Sequence, residues 1–129
     1  MMATNDDLRA AGKEIQGQLW PATRTAPAGQ FPAATLAPDF FDYVQQTAFG
    51  MIWTRPGLPT RDRSMITVAM LAALGHHEEL RAHLAGALSV GLSREELVEV
   101  LMQVAVYAGV PAAVSALRAA ADVLGTPDS

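Results

Sequence analysis

A chain of 129 residues has the length of one domain, 1–129, and half of it is hydrophobic while only 17% is charged. That imbalance predicts apolar surface covered by further copies of the chain, because a small domain buries too little of its own. A net charge of −4 without any block of like charges excludes a nucleic-acid partner, and the absence of cysteine excludes disulfides, thiolate nucleophiles and Cys-ligated zinc.

Nearly every segment has helical periodicity and none alternates like a strand, so the expected fold class is all-α with about six helices. The first helix is expected over residues 6–19, "DDLRAAGKEIQGQL". No basic stretch followed by an apolar run opens the chain, so no secretory leader is expected. "WPATRTAPAGQFPAATLAP" (20–38) reads as an extended, Pro-rich connector. Connectors of that length often cover a site or reach another subunit.

A second helix begins near Pro38 and continues through "DFFDYVQQTAF". "TRPGLPT" (54–60) is a turn in which Thr60 is placed to cap the third helix. That helix, "RDRSMITVAMLAAL", has nine apolar residues among the eleven from Ser64 to Leu74, which predicts a central helix buried on nearly all sides. Its apolar run spans about half a membrane, so a soluble, cytoplasmic protein without membrane contact is expected. The fourth helix covers about 77–90 and stops at Gly91. "SREE" (93–96) is a capping box opening a fifth helix that Gly109 ends. Pro111 suits the first turn of a sixth, closed by Gly125 and Pro127, with a frayed tail beyond.

On a wheel of the fourth helix, Leu80, Leu84, Ala87 and Leu88 form the apolar stripe and His83 falls on its edge. Glu79 lies one turn earlier, so it can accept a hydrogen bond from His83 and favour the protonated form. An imidazole held in that way can move a proton near neutral pH. The plainer alternative is a structural histidine at the core margin. His76, Glu79 and His83 lack the HExxH spacing and a distant further ligand, so no metal is expected. In "WTRPGLPTRDR" (53–63), Arg55 follows Trp53 and precedes a rigid Pro-Gly turn, a good mount for a carboxylate clamp. The alternative is an arginine paired with a nearby acid. Arg61 and Arg63 are expected on the helix surface or at a subunit contact. Met51, Met65, Met70 and Met102 are expected in the core or lining a pocket.

"WTRPGL", "ITVAMLAALG", "ELRAHLAGALSVGLSREELVEVL" and "VYAGVPAA", in this order between Phe49 and Leu124, resemble the carboxymuconolactone decarboxylase family. "LRAAGKEIQGQL" is weakly similar to that family's N-terminal segment. The resemblance implies the alkylhydroperoxidase-like helical fold assembled as a trimer or hexamer. It implies decarboxylation of a small lactone acid without a cofactor. The related peroxidases carry a CxxC whose cysteine positions are here His76 and Glu79, so peroxidase chemistry is not implied. His83 matches the family's histidine, and Arg55 matches the arginine of its W-[ST]-RPGL turn. Trp53, Met51 and Tyr107 are then expected to shape a pocket for a small-molecule substrate.

One position departs from the family pattern. Members usually carry an acid after the glycine preceding the turn, and "GMIW" has Met51 there. Glu79 as a substitute proton partner, a larger apolar polyketide-like substrate, and a non-catalytic ligand-binding oligomer all stay open at this point.

Overall fold

The computed structural model describes residues 2–21 and 34–125. The interior of the connector (22–33) and the last four residues of the tail lie outside the described residues. Among the described residues six α-helices of about two turns or more are present: α1 (Asn5–Leu19), α2 (Pro38–Val44), α3 (Thr60–Leu74), α4 (His77–Ser89), α5 (Arg94–Ala108) and α6 (Val110–Leu124). A helical turn at 34–36 precedes α2, and α2 runs without a break into a π-helical segment, Gln45–Ile52. Among the described residues there is no strand.

Local chemistry sets most of the boundaries. Thr4 caps α1 in a reciprocal box with Asp7: the Thr4 hydroxyl accepts from the Asp7 amide at 3.1 Å, and the Asp7 carboxylate accepts from the Thr4 amide at 3.0 Å. Ser93 and Glu96 make the same box at α5, both bonds at 3.0 Å. Gly109 separates α5 from α6, with Pro111 in the first turn of α6. Thr60 is not the cap of α3. Pro59 takes that place in an extended conformation and no side chain caps the helix. The fixed φ of Pro59 sets the entry, so helical geometry starts at Thr60 and its hydroxyl lies inside the first turn.

The main core gathers Val68 and Ala72 of α3, Leu80, Leu84 and Ala87 of α4, Leu97, Leu101 and Val104 of α5, and the alanine stripe of α6. A second, smaller core joins Ile15 and Leu19 of α1 to Phe49 of the π segment, with Trp20, Val44, Trp53 and Val90 packed around it. Two glycines let α1 and the π segment touch backbone to backbone. A Cβ at Gly12 would overlap the Gln45 carbonyl oxygen, and one at Gly50 would overlap that of Leu8. Arg9 ties α1 to Asp42 of α2 through two hydrogen bonds, at 2.6 and 3.0 Å.

The third helix differs from expectation. Only Ser64, Val68 and Ala72 are buried, a single stripe at four-residue spacing. Ile66 is 41% exposed, Met70 52%, and Leu74 more still. The sequence makes this helix apolar all round, but α4, α5 and α6 cover one side of it, and its other side is open in the single chain. Of the four methionines expected to be core or pocket, Met65 packs against the main core, Met70 lines a cleft, and Met51 and Met102 are exposed.

Candidate functional site

α4 is buried on more than the expected stripe. Ala82, Ala85 and Gly86 are enclosed along with Leu80, Leu84 and Ala87, because small residues on that side admit the end of α1. A Cβ at Gly86 would meet Leu19 Cδ2 at 3.1 Å and Trp20 Nε1 at 3.4 Å. The close approach lets the Trp20 indole N–H donate to the Ala82 carbonyl at 2.8 Å. Trp20 then lies edge-on to His83, ring centroids 5.1 Å apart at 71°. From the other direction Trp53 lies nearly parallel to the imidazole, at 6.1 Å and 20°. Phe49 touches both indoles, at 6.0 Å from Trp20 and 5.8 Å from Trp53. His83, half-buried at the edge of the apolar stripe, is therefore flanked by rings from two distant parts of the chain, Trp20 and Trp53.

Burial dominates the electrostatics of that imidazole. Loss of water lowers its pKa from the ordinary value near 6.5 to about 4, against a smaller upward pull from the charge of Glu79. At neutral pH the ring is uncharged. Its Nδ1 is buried and has no hydrogen-bond partner among the described residues. Among the described residues no hydrogen bond joins Glu79 to His83, so Glu79 acts on the imidazole only through its charge.

Beside this cluster is a cleft of about 260 Å³, lined by Ile52, Trp53, Leu58, Arg63, Ile66, Thr67 and Met70. Trp53 is common to both: it walls the cleft and packs against His83. Among the described residues Arg63 supplies the only formal charge in the lining. Its Nη2 donates to the Arg55 carbonyl oxygen at 3.1 Å, while its Nε is buried without a partner among the described residues.

Of the residues singled out in the sequence, His83 and Trp53 come together. Glu79 is exposed but within electrostatic reach of the imidazole. Arg55 is exposed in the turn and takes part through its carbonyl group. Met51 adjoins Ile52 but points half its surface to solvent, and Tyr107 is 86% exposed near the end of α5; neither lines the cleft. His76 and His77 stand at the start of α4. Two residues near the site were not singled out for it: Trp20, whose partner is 62 positions away in sequence, and Arg63, which on a helical wheel reads as surface. For Arg63 the available signal is its place one helical turn after the Pro59 boundary, next to the rigid turn it bonds to.

Residues 38–122 match the sequence model of the Carboxymuconolactone decarboxylase family. The chain is 41% identical over 85 residues to 4-carboxymuconolactone decarboxylase of Acinetobacter baylyi, covering 66% of this chain and 63% of that protein. It is 32% identical over 76 residues to nitrosuccinic acid decarboxylase npaB of Metarhizium robertsii, covering 59% of this chain and 53% of the relative. An uncharacterised 15.0 kDa protein of Paracoccus denitrificans is 30% identical over 82 residues, 62% of this chain and 61% of its own length. The matched part thus spans less than two thirds of each of these relatives. All three helices that supply Trp53's neighbours, Arg63 and His83 fall within the family match, whereas Trp20 lies before it.

Proposed function

Since the chain belongs to the carboxymuconolactone decarboxylase family, we propose that it is a carboxy-lyase that removes CO₂ from a small cyclic carboxylic acid, with His83 as the catalytic proton carrier. The observation that carries this reading is the imidazole itself: flanked by Trp20 and Trp53, uncharged at neutral pH, and with Nδ1 unpartnered among the described residues.

In such a reaction the bond between the ring carbon and the carboxylate breaks, CO₂ leaves, and the electron pair is held by a conjugated carbonyl as an enolate. One proton must then reach carbon. A neutral imidazole cannot supply that proton as an imidazolium, but an anionic substrate changes its state. A carboxylate brought close to His83 favours the protonated ring, and the same low-polarity surroundings that lower the pKa in the free protein strengthen that attraction. Proton uptake from solvent thus accompanies substrate binding, and the imidazolium returns the proton to carbon after CO₂ loss. The exposed carboxylate of Glu79 assists in the same direction. With Met51 where relatives of this pattern carry an acid, solvent is the proton source.

The remaining roles follow from the family resemblance: a trimer or hexamer in the cytoplasm, working without a cofactor, with Met51 and Tyr107 at the margin of the substrate site. The open apolar side of α3 supports assembly of copies, and Tyr107, exposed in one chain, would reach a site only across such a contact. Product analysis by mass spectrometry after incubation with 4-carboxymuconolactone tests the reading. Loss of CO₂ with the wild type and none with a folded His83→Ala variant is expected. Equal turnover by both proteins, or none by the wild type, sinks it.

A further inference from the structure

Among the described residues the cleft beside Trp53 holds one cation and no anion. Six of its seven lining residues carry no charge, and the seventh is Arg63. Elsewhere in the described chain the arginines at helix contacts are matched: Arg9 by Asp42 and Asp6, Arg61 by Glu96 and Asp62, Arg81 by Asp122. Arg94 instead caps the carbonyl oxygens of Leu124 and Gly125. Arg63 is different. Among the described residues no carboxylate faces it, its Nε is enclosed without a partner, and its one hydrogen bond goes to the backbone carbonyl of Arg55.

That single bond matters for orientation. It ties one end of a planar group to a rigid turn, so the fork is held instead of swinging on its stem. A guanidinium fixed in apolar surroundings is costly without an anion, since part of its hydration is lost and not replaced. It is also well suited to a carboxylate, which accepts two parallel N–H bonds from one fork. A cleft of about 260 Å³ lies below the roughly 300–1,000 Å³ of sites for drug-sized ligands, so its natural occupant is small.

We propose that Arg63, rather than Arg55, binds the substrate's carboxylate, and that the cleft formed with Ile52, Trp53, Leu58, Ile66, Thr67 and Met70 receives the apolar body of the acid. The ligand class rests on the decarboxylase reading above; the cleft and its cation stand without it. The Arg55 side chain is exposed and contributes its carbonyl oxygen, which any residue at that position retains.

The test is direct binding of an unreactive probe, γ-butyrolactone-γ-carboxylate, with its methyl ester as the neutral control. Binding is followed by calorimetry and by the fluorescence of Trp53. Arg63→Gln is expected to weaken the acid by roughly tenfold or more and leave the ester unchanged, as for a lost charge-assisted hydrogen bond. Arg55→Gln is expected to bind both as the wild type does. Arg63→Lys keeps the charge without the fork and is expected to fall between wild type and Arg63→Gln. It also serves as the reading if the glutamine variant fails to fold. The inference is overturned if Arg55→Gln, and not the Arg63 variants, loses the acid. It is equally overturned if the wild type does not bind the acid at all, as when side chains of a second copy fill the cleft. Turnover of the lactone with binding independent of Arg63 sinks this inference alone. Binding that depends on Arg63 with no turnover supports it and sinks the decarboxylase reading alone.

Discussion

Acid pH should destabilise this protein through His83 before most carboxylates titrate. In the unfolded chain the imidazole has its ordinary pKa near 6.5, and in the folded protein burial lowers it to about 4. Between those values the unfolded state binds a proton that the folded state refuses, so stability rises with pH across that window. The contribution is therefore intact above pH 6.5 and is lost as pH falls towards 4. At 1.36 kcal/mol per pH unit the full gap is worth roughly 3 kcal/mol, of which about 2 kcal/mol is gone by pH 5. Carboxylates confuse the lower end: Asp42 is held below its usual range by its hydrogen bond from Arg9, and Glu96 by the Ser93 amide and then Arg61. Their contribution is likewise lost as pH falls, but at lower values. Urea unfolding of the wild type and of His83→Gln at pH 7 and pH 5 separates the two. The wild type should lose about 2 kcal/mol more than the variant over that interval. Titration of the His83 Cε1 proton by NMR gives the same quantity directly. A midpoint near 6.5, with equal pH dependence in both proteins, would refute the claim that the rings dry the imidazole.

Trp20→Ala should admit water to the imidazole and move the His83 midpoint upward towards 6.5. Unfolding should show about 2 kcal/mol of lost stability, less than for a fully buried tryptophan because Trp20 is partly exposed. An unchanged midpoint by NMR would mean that Trp53 alone keeps the ring dry. Gly12→Ala sets a Cβ against the Gln45 carbonyl oxygen, so α1 must move off the π segment. Denaturant unfolding should show a loss of about 2 kcal/mol, although alanine is the better helix former by roughly 1 kcal/mol at an unobstructed site. A neutral or stabilising result would mean that the two segments separate freely.

Much of the fold is legible because its signals are local. The Ser93–Glu96 box, the glycines at 75, 91, 109 and 125, and Pro111 mark helix ends by the bonds their own backbones can make. The π segment has no such marker. An i→i+5 winding such as the bond from the Trp53 amide to the Ala48 carbonyl, 3.0 Å, uses residues that would also suit an α-helix. Gly12 and Gly50 are where the distant partner shows, and neither is near the other in sequence. The open side of α3 was not legible for a related reason. Hydrophobicity says that a face needs covering, and only the packing says that this chain does not cover it. Of the candidate site, the histidine and the tryptophan after the π segment could be read from their motif. Arg63 could not, since in sequence it is one of three charges opening a helix, and its isolation appears only when the cleft closes around it.

The placement of Trp20 bears on what family membership can explain. Residues 38–122 provide the imidazole, one of its two indoles and the cleft. The other indole arrives from α1, outside that match, through Gly86 and the Ala82 carbonyl. A chain carrying the matched part alone would have the histidine in register but wetter, with a pKa nearer the ordinary value, and so already charged over part of the range where this one is neutral. What α1 adds is then a change of chemistry more than of shape. On the proposed mechanism it keeps neutral an imidazole that would otherwise be partly protonated, so that the proton is taken up when an anion binds. Coupling of that kind has a direct signature, since the heat of probe binding near neutral pH must vary with the ionisation enthalpy of the buffer. In Trp20→Ala that variation should shrink as the free imidazole comes to hold its proton beforehand.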